Sequence, residues 1–173
     1  DVIGMAPDIA ACGPLIEAVF DTAPRARRIP FGMAGRGIRA ENPLVDVFFG
    51  LLELGGGRFD ASQVLGLLES PAVRRRFGLS EDDLERIRRW VREVGIRWGI
   101  DAEIKGNWEL PATAEHTWRA GLDRLLLGYA LPGEDRDLYH DILPYDEVEG
   151  GEALALGQLQ SFTEALFGLD AHL

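Results

Sequence analysis

Arginine side chains are the residues of this sequence whose type and spacing could support chemistry, and that chemistry would be contact with phosphate groups. Arg74, Arg75 and Arg76 are consecutive, and Arg88 and Arg92 fall on the polar side of a predicted helix. A guanidinium group binds phosphate or carboxylate oxygens through two parallel hydrogen bonds. These five arginines are therefore candidates for binding DNA or an acidic partner surface.

The alternative is that the arginines are solvated and paired with nearby acids. Asp82–Arg86 and Glu85–Arg89 have i,i+4 spacing, and Glu85–Arg88 has i,i+3 spacing, so each pair can form on one helix face. The arginine triplet has no acid three or four residues away on either side. The sequence therefore predicts that the triplet is the least paired group of arginines.

The heptapeptide GIRWGID, residues 95–101, is a second candidate. We predict that Trp98 packs inward as a structural anchor and that Arg97 pairs with Asp101, which would hold an irregular loop in place. A tryptophan can instead stack on the bases of single-stranded nucleic acid. The same two alternatives apply to all the tryptophans, which are Trp90, Trp98, Trp108 and Trp118.

Several classes of site are not predicted. The sequence contains no G-x-x-x-x-G-K-[ST], G-x-S-x-G or H-E-x-x-H motif. Its single cysteine and three dispersed histidines do not have metal-ligand spacing. Its acidic clusters are typical of helix starts and solvated loops. We therefore predict no catalytic residue, no metal site and no cofactor in this chain, and expect it to hydrolyse neither ATP nor DNA.

Charge and hydropathy restrict the class of protein further. The net charge is −11, which argues against binding nucleic acid through bulk electrostatics but allows a local arginine patch. No apolar run approaches the roughly 18–20 residues that span a bilayer, and the N-terminus lacks the features of a signal peptide. We expect a cytoplasmic protein without a membrane partner. The absence of an initial methionine suggests a fragment or a processed product.

Helical patterns provide the elements that would position these residues. Ser80 and Asp83 form a capping box before a helix that ends near Gly95, and Asn42 with Pro43 begins another. The helix from Pro43 is apolar on nearly every face, which predicts burial on several sides. Short apolar runs within residues 1–10 and 28–35 are strand candidates. The predicted fold is mainly α, with a short α/β portion at the N-terminus.

Several segments of the sequence resemble the RecC family, the gamma chains of exodeoxyribonuclease V. The distinctive stretches include ENPLVDVFFGLLEL, WVREVGIRWGID and HTWRAGLDRLLLGYA, and the resemblance covers nearly the whole chain. It implies an inactive superfamily 1 helicase-like architecture. In that architecture, residues 1–42 would resemble the start of the second motor-like half, and residues 43–173 would be an inserted helical domain.

The resemblance also implies a function and partners. The chain would be a non-catalytic part of a subunit that joins RecB-like and RecD-like subunits, and the complex would process double-strand DNA ends for recombinational repair. This fragment would contribute scaffold and DNA-strand guidance. The alternative is a free-standing helical protein-interaction domain without a DNA role, and the flanking coding sequence would separate the two.

Overall fold

The computed structural model of the chain describes residues 4–5, 9–22, 24, 29–33, 42–131 and 138–170. These residues are mainly helical, which confirms the predicted α class. The chain forms two compact units, residues 1–46 and residues 47–173.

The N-terminal unit does not show the predicted α/β portion. Helix α1 spans Ile9–Asp21 and ends where the Thr22 hydroxyl donates to the Ala18 carbonyl at 2.7 Å. Residues 29–33 are irregular, so no strand forms in the described part of 28–35. The strand predicted within 1–10 lies largely outside the described residues, and Ile9 already belongs to the helix. Pro14 lies inside α1.

Helix α2, Pro43–Leu54, begins as predicted, but its burial was predicted wrongly. The Asn42 side chain accepts a hydrogen bond from the Leu44 amide at 3.0 Å, which caps the helix. Phe48 is 57% exposed and Leu52 is 48% exposed. A single face of the helix contacts the core, through Val47, Leu51 and Leu54.

The remaining helices surround one apolar core. They are α3 (Ala61–Glu69), α4 (Pro71–Phe77), α5 (Glu81–Glu93), α6 (Ala102–Gly106), α7 (Trp118–Ala130) and α8 (Ala153–Asp170), with a 3-10 turn at Gly150–Glu152. Helix α8 packs against α4, α5 and α7, and its apolar stripe of Ala155, Leu159, Phe162 and Leu166 is buried. Because α8 contacts three helices, it organises the domain that carries the candidate arginines.

Local capping explains where three of these helices begin. The Ser80 hydroxyl accepts from the Asp83 amide, and the Asp83 carboxylate accepts from the Ser80 amide, so the predicted capping box at α5 is confirmed. Asp60 occupies the N-cap of α3, but its side chain forms no capping bond. Asp101 caps α6 and Thr117 caps α7 through side-chain hydrogen bonds. Neither of these two caps was predicted from the sequence.

Replacing Asp83 with asparagine is expected to lower the free energy of unfolding by about 1 kcal/mol at neutral pH. Burial acts to raise the Asp83 pKa, but hydrogen bonds from Ser80 and Arg86 outweigh it and hold the pKa below its ordinary value of 3.8. A lowered pKa contributes stability that is present above pH 3.8 and is lost as the carboxylate protonates at lower pH. Urea unfolding at a series of pH values measures the difference between parent and variant.

Asp82→Asn is the matched control, because Asp82 lies in the same first turn, is exposed and makes no capping bond. It should lose only the smaller interaction with the helix dipole. Equal losses in the two variants, or a difference that does not shrink as the pH falls below 3.8, would contradict the role assigned to the Asp83 carboxylate.

Candidate nucleic-acid interface

The arginine triplet lies on α4, a short helix that ends at Gly78 in the left-handed conformation. Arg74 is not free, contrary to the prediction for the triplet. Its guanidinium donates to the carbonyls of Leu68 and Glu69 and pairs with Glu81 at 3.2 Å, and its side chain is 13% exposed. The partners come from the end of α3 and the start of α5, so helical spacing could not reveal them.

Arg75 and Arg76 differ from Arg74. Both are exposed, and neither has an acidic partner among the residues that the structure describes. The Arg76 guanidinium lies 5.5 Å from the centre of the Phe77 ring, and this contact leaves its N–H groups available. The triplet therefore contributes two accessible cations and one structural arginine.

The arginines of α5 are mostly engaged. Arg88 pairs with Glu85 and with Glu69 at 2.6 Å, which confirms the predicted Glu85–Arg88 pair. Hydrogen bonding to Glu85 is the main cause that raises the Arg88 pKa. Arg92 is exposed and has no acidic partner within the described ranges. Of the five candidates, Arg75, Arg76 and Arg92 thus remain accessible.

The other two pairs predicted on α5 are not the ones that form. Arg86 pairs with Asp83 at 2.8 Å and with Glu152 at 3.3 Å, and Arg89 pairs with Glu152 at 3.1 Å. Glu152 belongs to the 3-10 turn before α8, so these arginines connect two elements that are distant in sequence. Their role is to hold α5 to α8 rather than to present charge.

Residues 95–101 are held by their backbone and by two isoleucines. Ile96 and Ile100 are buried, whereas Trp98 is half-buried. The Arg97 amide donates to the His116 carbonyl at 2.8 Å, and the Arg97 carbonyl accepts from the Ala61 amide at 2.8 Å. The segment therefore connects α3 to the start of α7, but Trp98 is not its buried anchor.

The predicted Arg97–Asp101 pair is wrong. The Asp101 carboxylate accepts from the Ile104 amide at 3.0 Å and pairs with Arg119 at 3.5 Å. Arg97 is exposed. The physical reason is that Asp101 is the N-cap of α6, which directs its carboxylate into that helix rather than back along the loop.

The tryptophans divide into two classes. Trp90 and Trp118 are fully buried, and the Trp118 Nε1 donates to the Phe59 carbonyl at 3.0 Å. Trp98 and Trp108 lie beside cations: the Arg58 guanidinium is 4.7 Å from the centre of the Trp108 ring and 5.8 Å from that of Trp98. Sequence reasoning missed Arg58, because nothing in its immediate sequence distinguishes it.

Metal-binding clusters and membrane spans are two further kinds of feature to consider in the described part of the chain. There, no three or more His, Cys, Asp or Glu side chains lie together so that they could hold a metal ion. No helix among the described residues is long and apolar enough to cross a membrane.

The family model and the relatives that match this chain all belong to one family. The family model of the RecBCD enzyme subunit RecC fourth domain matches residues 41–173. The RecC subunit of Escherichia coli K12 is 44% identical over 93% of this chain and 14% of its own length. The RecC subunit of Mycolicibacterium smegmatis is 38% identical over 96% of this chain and 17% of its own length.

A RecC subunit from Haemophilus influenzae is 35% identical over 98% of this chain and 14% of its own length. The chain thus spans between about one seventh and one sixth of the length of these curated relatives. Since the family model covers well over half of the chain, the chain belongs to the RecC family.

Proposed function

We propose that this chain acts, without catalysis of its own, as part of a RecC subunit in a RecBCD-type helicase and nuclease that processes double-strand DNA ends for recombinational repair. The match of residues 41–173 to the fourth domain of RecC carries this proposal. The partners are RecB-like and RecD-like subunits and DNA, and the location is the cytoplasm. Family membership does not favour the alternative of a free-standing interaction domain.

The role within that subunit is scaffold and strand guidance. In the proposed arrangement, this helical domain is an insertion in an inactive helicase-like architecture, with residues 1–42 at the start of the second motor-like half. The ion pairs of Arg86 and Arg89 with Glu152 and of Arg74 with Glu81 connect separate elements, which supports a scaffold role. Arg75, Arg76 and Arg92 supply the accessible cations that contact with DNA or with an acidic partner requires.

The double variant Arg75→Ala/Arg76→Ala tests this role in the reconstituted complex. We expect weaker binding of DNA ends, with a salt slope that is smaller by about 0.9 for each phosphate that the variant no longer neutralises, or else weaker subunit association. Fluorescence anisotropy of labelled DNA ends across a salt series measures the first effect, and analytical ultracentrifugation measures the second. Stability should change little, since exposed charges contribute roughly 0–1 kcal/mol.

Arg88→Ala is the matched control, because the Arg88 guanidinium is held by two glutamates and is not free for a ligand. It should keep the salt slope of the parent. If the double variant assembles, binds DNA ends and unwinds them as the parent does at every salt concentration, these two arginines are only solvated surface.

A further inference from the structure

One group of side chains remains outside the roles described so far. We call Arg58, Trp98, Lys105 and Trp108 the tryptophan platform. The Arg58 guanidinium lies over the Trp108 ring at 4.7 Å and over the Trp98 ring at 5.8 Å from their centres, and the Lys105 Nζ lies 5.1 Å from the centre of the Trp98 ring. These side chains come from three separate stretches of sequence, which the fold brings together.

The Arg58 guanidinium and the Trp108 ring form the exposed part of the platform. Arg58 is exposed and has no acidic partner in the part of the chain that the structure describes, although the chain carries a net charge of −11. Its contacts are with ring faces, which leave the N–H edge of the guanidinium free to donate. Trp108 is 38% exposed. An arginine stacked on an aromatic ring is well suited to binding phosphate, because its plane is fixed before the ligand arrives.

Hydrogen bonds hold the platform rigidly. The Gly99 amide donates to the Arg58 carbonyl at 2.8 Å, which connects the two segments that carry Arg58 and Trp98. The Trp98 amide donates to the His116 carbonyl, and the buried Lys105 donates to the Glu115 carbonyl. These bonds fix the backbone that carries Arg58 and Trp98 and the side chain of Lys105, and such fixed positions favour a preorganised binding surface.

The backbone around the platform is strained. Phe59, Glu109 and His116 have φ angles of 53°, 57° and 65°, which non-glycine residues rarely adopt. Such conformations persist where the surrounding structure enforces them, and they are concentrated at ligand-binding and active sites. Phe59 follows Arg58 directly and Glu109 follows Trp108 directly, so the strain lies immediately beside the two residues that stack on each other.

We propose that the tryptophan platform binds one or two nucleotides of single-stranded DNA, with a base stacked on Trp108 and a phosphate on Arg58. This inference rests on the proposed function. Stacking on tryptophan tolerates any base, and an adjacent arginine adds the phosphate contact. The negative charge of the chain disfavours a long duplex contact, whereas a short stacked contact depends mainly on the rings.

The experiment uses the full-length subunit assembled with its partner subunits and an oligo(dT) strand that contains 4-thiothymidine. After ultraviolet irradiation and trypsin digestion, we expect cross-links in the peptide of residues 106–119, which contains Trp108. Trp108→Ala should remove these cross-links and raise the Kd for oligo(dT) about 5- to 140-fold, which corresponds to loss of one base stack. Trp108→Phe should retain both.

Arg58→Ala tests the phosphate contact separately, because it should lower the salt slope of oligo(dT) binding by about 0.7. Arg58→Lys should keep the slope but weaken binding, since lysine retains the charge without the planar stack. Trp108→Ala should leave the slope unchanged, and its effect on Kd is thereby distinguished from loss of charge.

Two results would overturn the inference. One is that the cross-links lie elsewhere and the variants bind oligo(dT) like the parent; the other is that a partner subunit covers Trp108 in the assembled complex without DNA. If the parent complex still binds and unwinds DNA ends, the proposed function stands in either case. A parent complex that binds neither DNA ends nor oligo(dT) would contradict the proposed function as well.

Discussion

Replacing Trp118 with alanine is expected to lower the free energy of unfolding by about 3–5 kcal/mol. The ring is fully buried at the start of α7, and its Nε1 donates to the Phe59 carbonyl at 3.0 Å. The Trp118 amide also donates to the Gly99 carbonyl at 2.9 Å, so the residue joins α7 to the 95–101 segment. The substitution leaves a cavity and a buried carbonyl without its donor. Urea unfolding monitored by circular dichroism measures the loss.

Trp98→Ala tests which of the two tryptophans anchors the 95–101 segment. Trp98 is half-buried and lies against the Arg58 and Lys105 side chains, so removing it should cost less than removing Trp118. A loss for Trp98→Ala equal to that for Trp118→Ala would show that the ring is as structural as the sequence suggested.

A second pair of variants isolates the hydrogen bond of the indole. Trp90 is also fully buried, but its Nε1 has no hydrogen-bond partner within the described residues, whereas the Trp118 Nε1 has one. Phenylalanine removes the N–H in both cases. Trp118→Phe should therefore destabilise the chain more than Trp90→Phe, since only the first substitution leaves an acceptor unpaired. The reverse order would contradict the assigned role of the Phe59 carbonyl.

Sequence patterns predicted features that depend on neighbouring residues. The capping box of Ser80 and Asp83 and the cap at Asn42 depend on contacts within four residues, and both were predicted. The stripe on α8 follows from helical periodicity. The resemblance to the RecC family was also recognisable, because segments such as WVREVGIRWGID are distinctive and the resemblance extends over most of the chain.

Partners that are distant in sequence could not be predicted. Arg74 looked unpaired because its acid, Glu81, belongs to the next helix, and Arg86 and Arg89 meet Glu152 from across the fold. Trp98 looked like the anchor because glycines flank it, but burial is decided by packing, and the anchor of that region is Trp118. Arg58 contacts two tryptophans that lie 40 and 50 residues further along the sequence, so no local pattern could identify it.

The crossing of α7 by the segment around Tyr145 is another long-range contact, and it depends on a glycine. The Tyr145 amide donates to the Arg124 carbonyl at 2.9 Å, and the Arg124 guanidinium donates to the carbonyls of Leu143 and Val94. The Tyr145 hydroxyl also contacts Glu93, and burial followed by that contact raises the Tyr145 pKa. These bonds bring the 145 backbone directly onto the surface of α7 at Gly128.

Gly128→Ala is expected to destabilise the chain by about 3 kcal/mol or more, at or above the upper end of overpacking effects. A Cβ atom at position 128 would lie 1.6 Å from the Tyr145 carbonyl oxygen, and that oxygen is backbone, so no side-chain rotation can relieve the clash. Gly157→Ala in α8 is the matched control, because a Cβ there meets nothing within 4 Å. In a helix interior, alanine is favoured over glycine by roughly 0.5–1 kcal/mol, so the control should be neutral or stabilising. Thermal and urea unfolding should therefore show a clear loss of stability for Gly128→Ala and none for Gly157→Ala. A Gly128→Ala protein as stable as the control would show that the 145 segment does not approach α7 this closely.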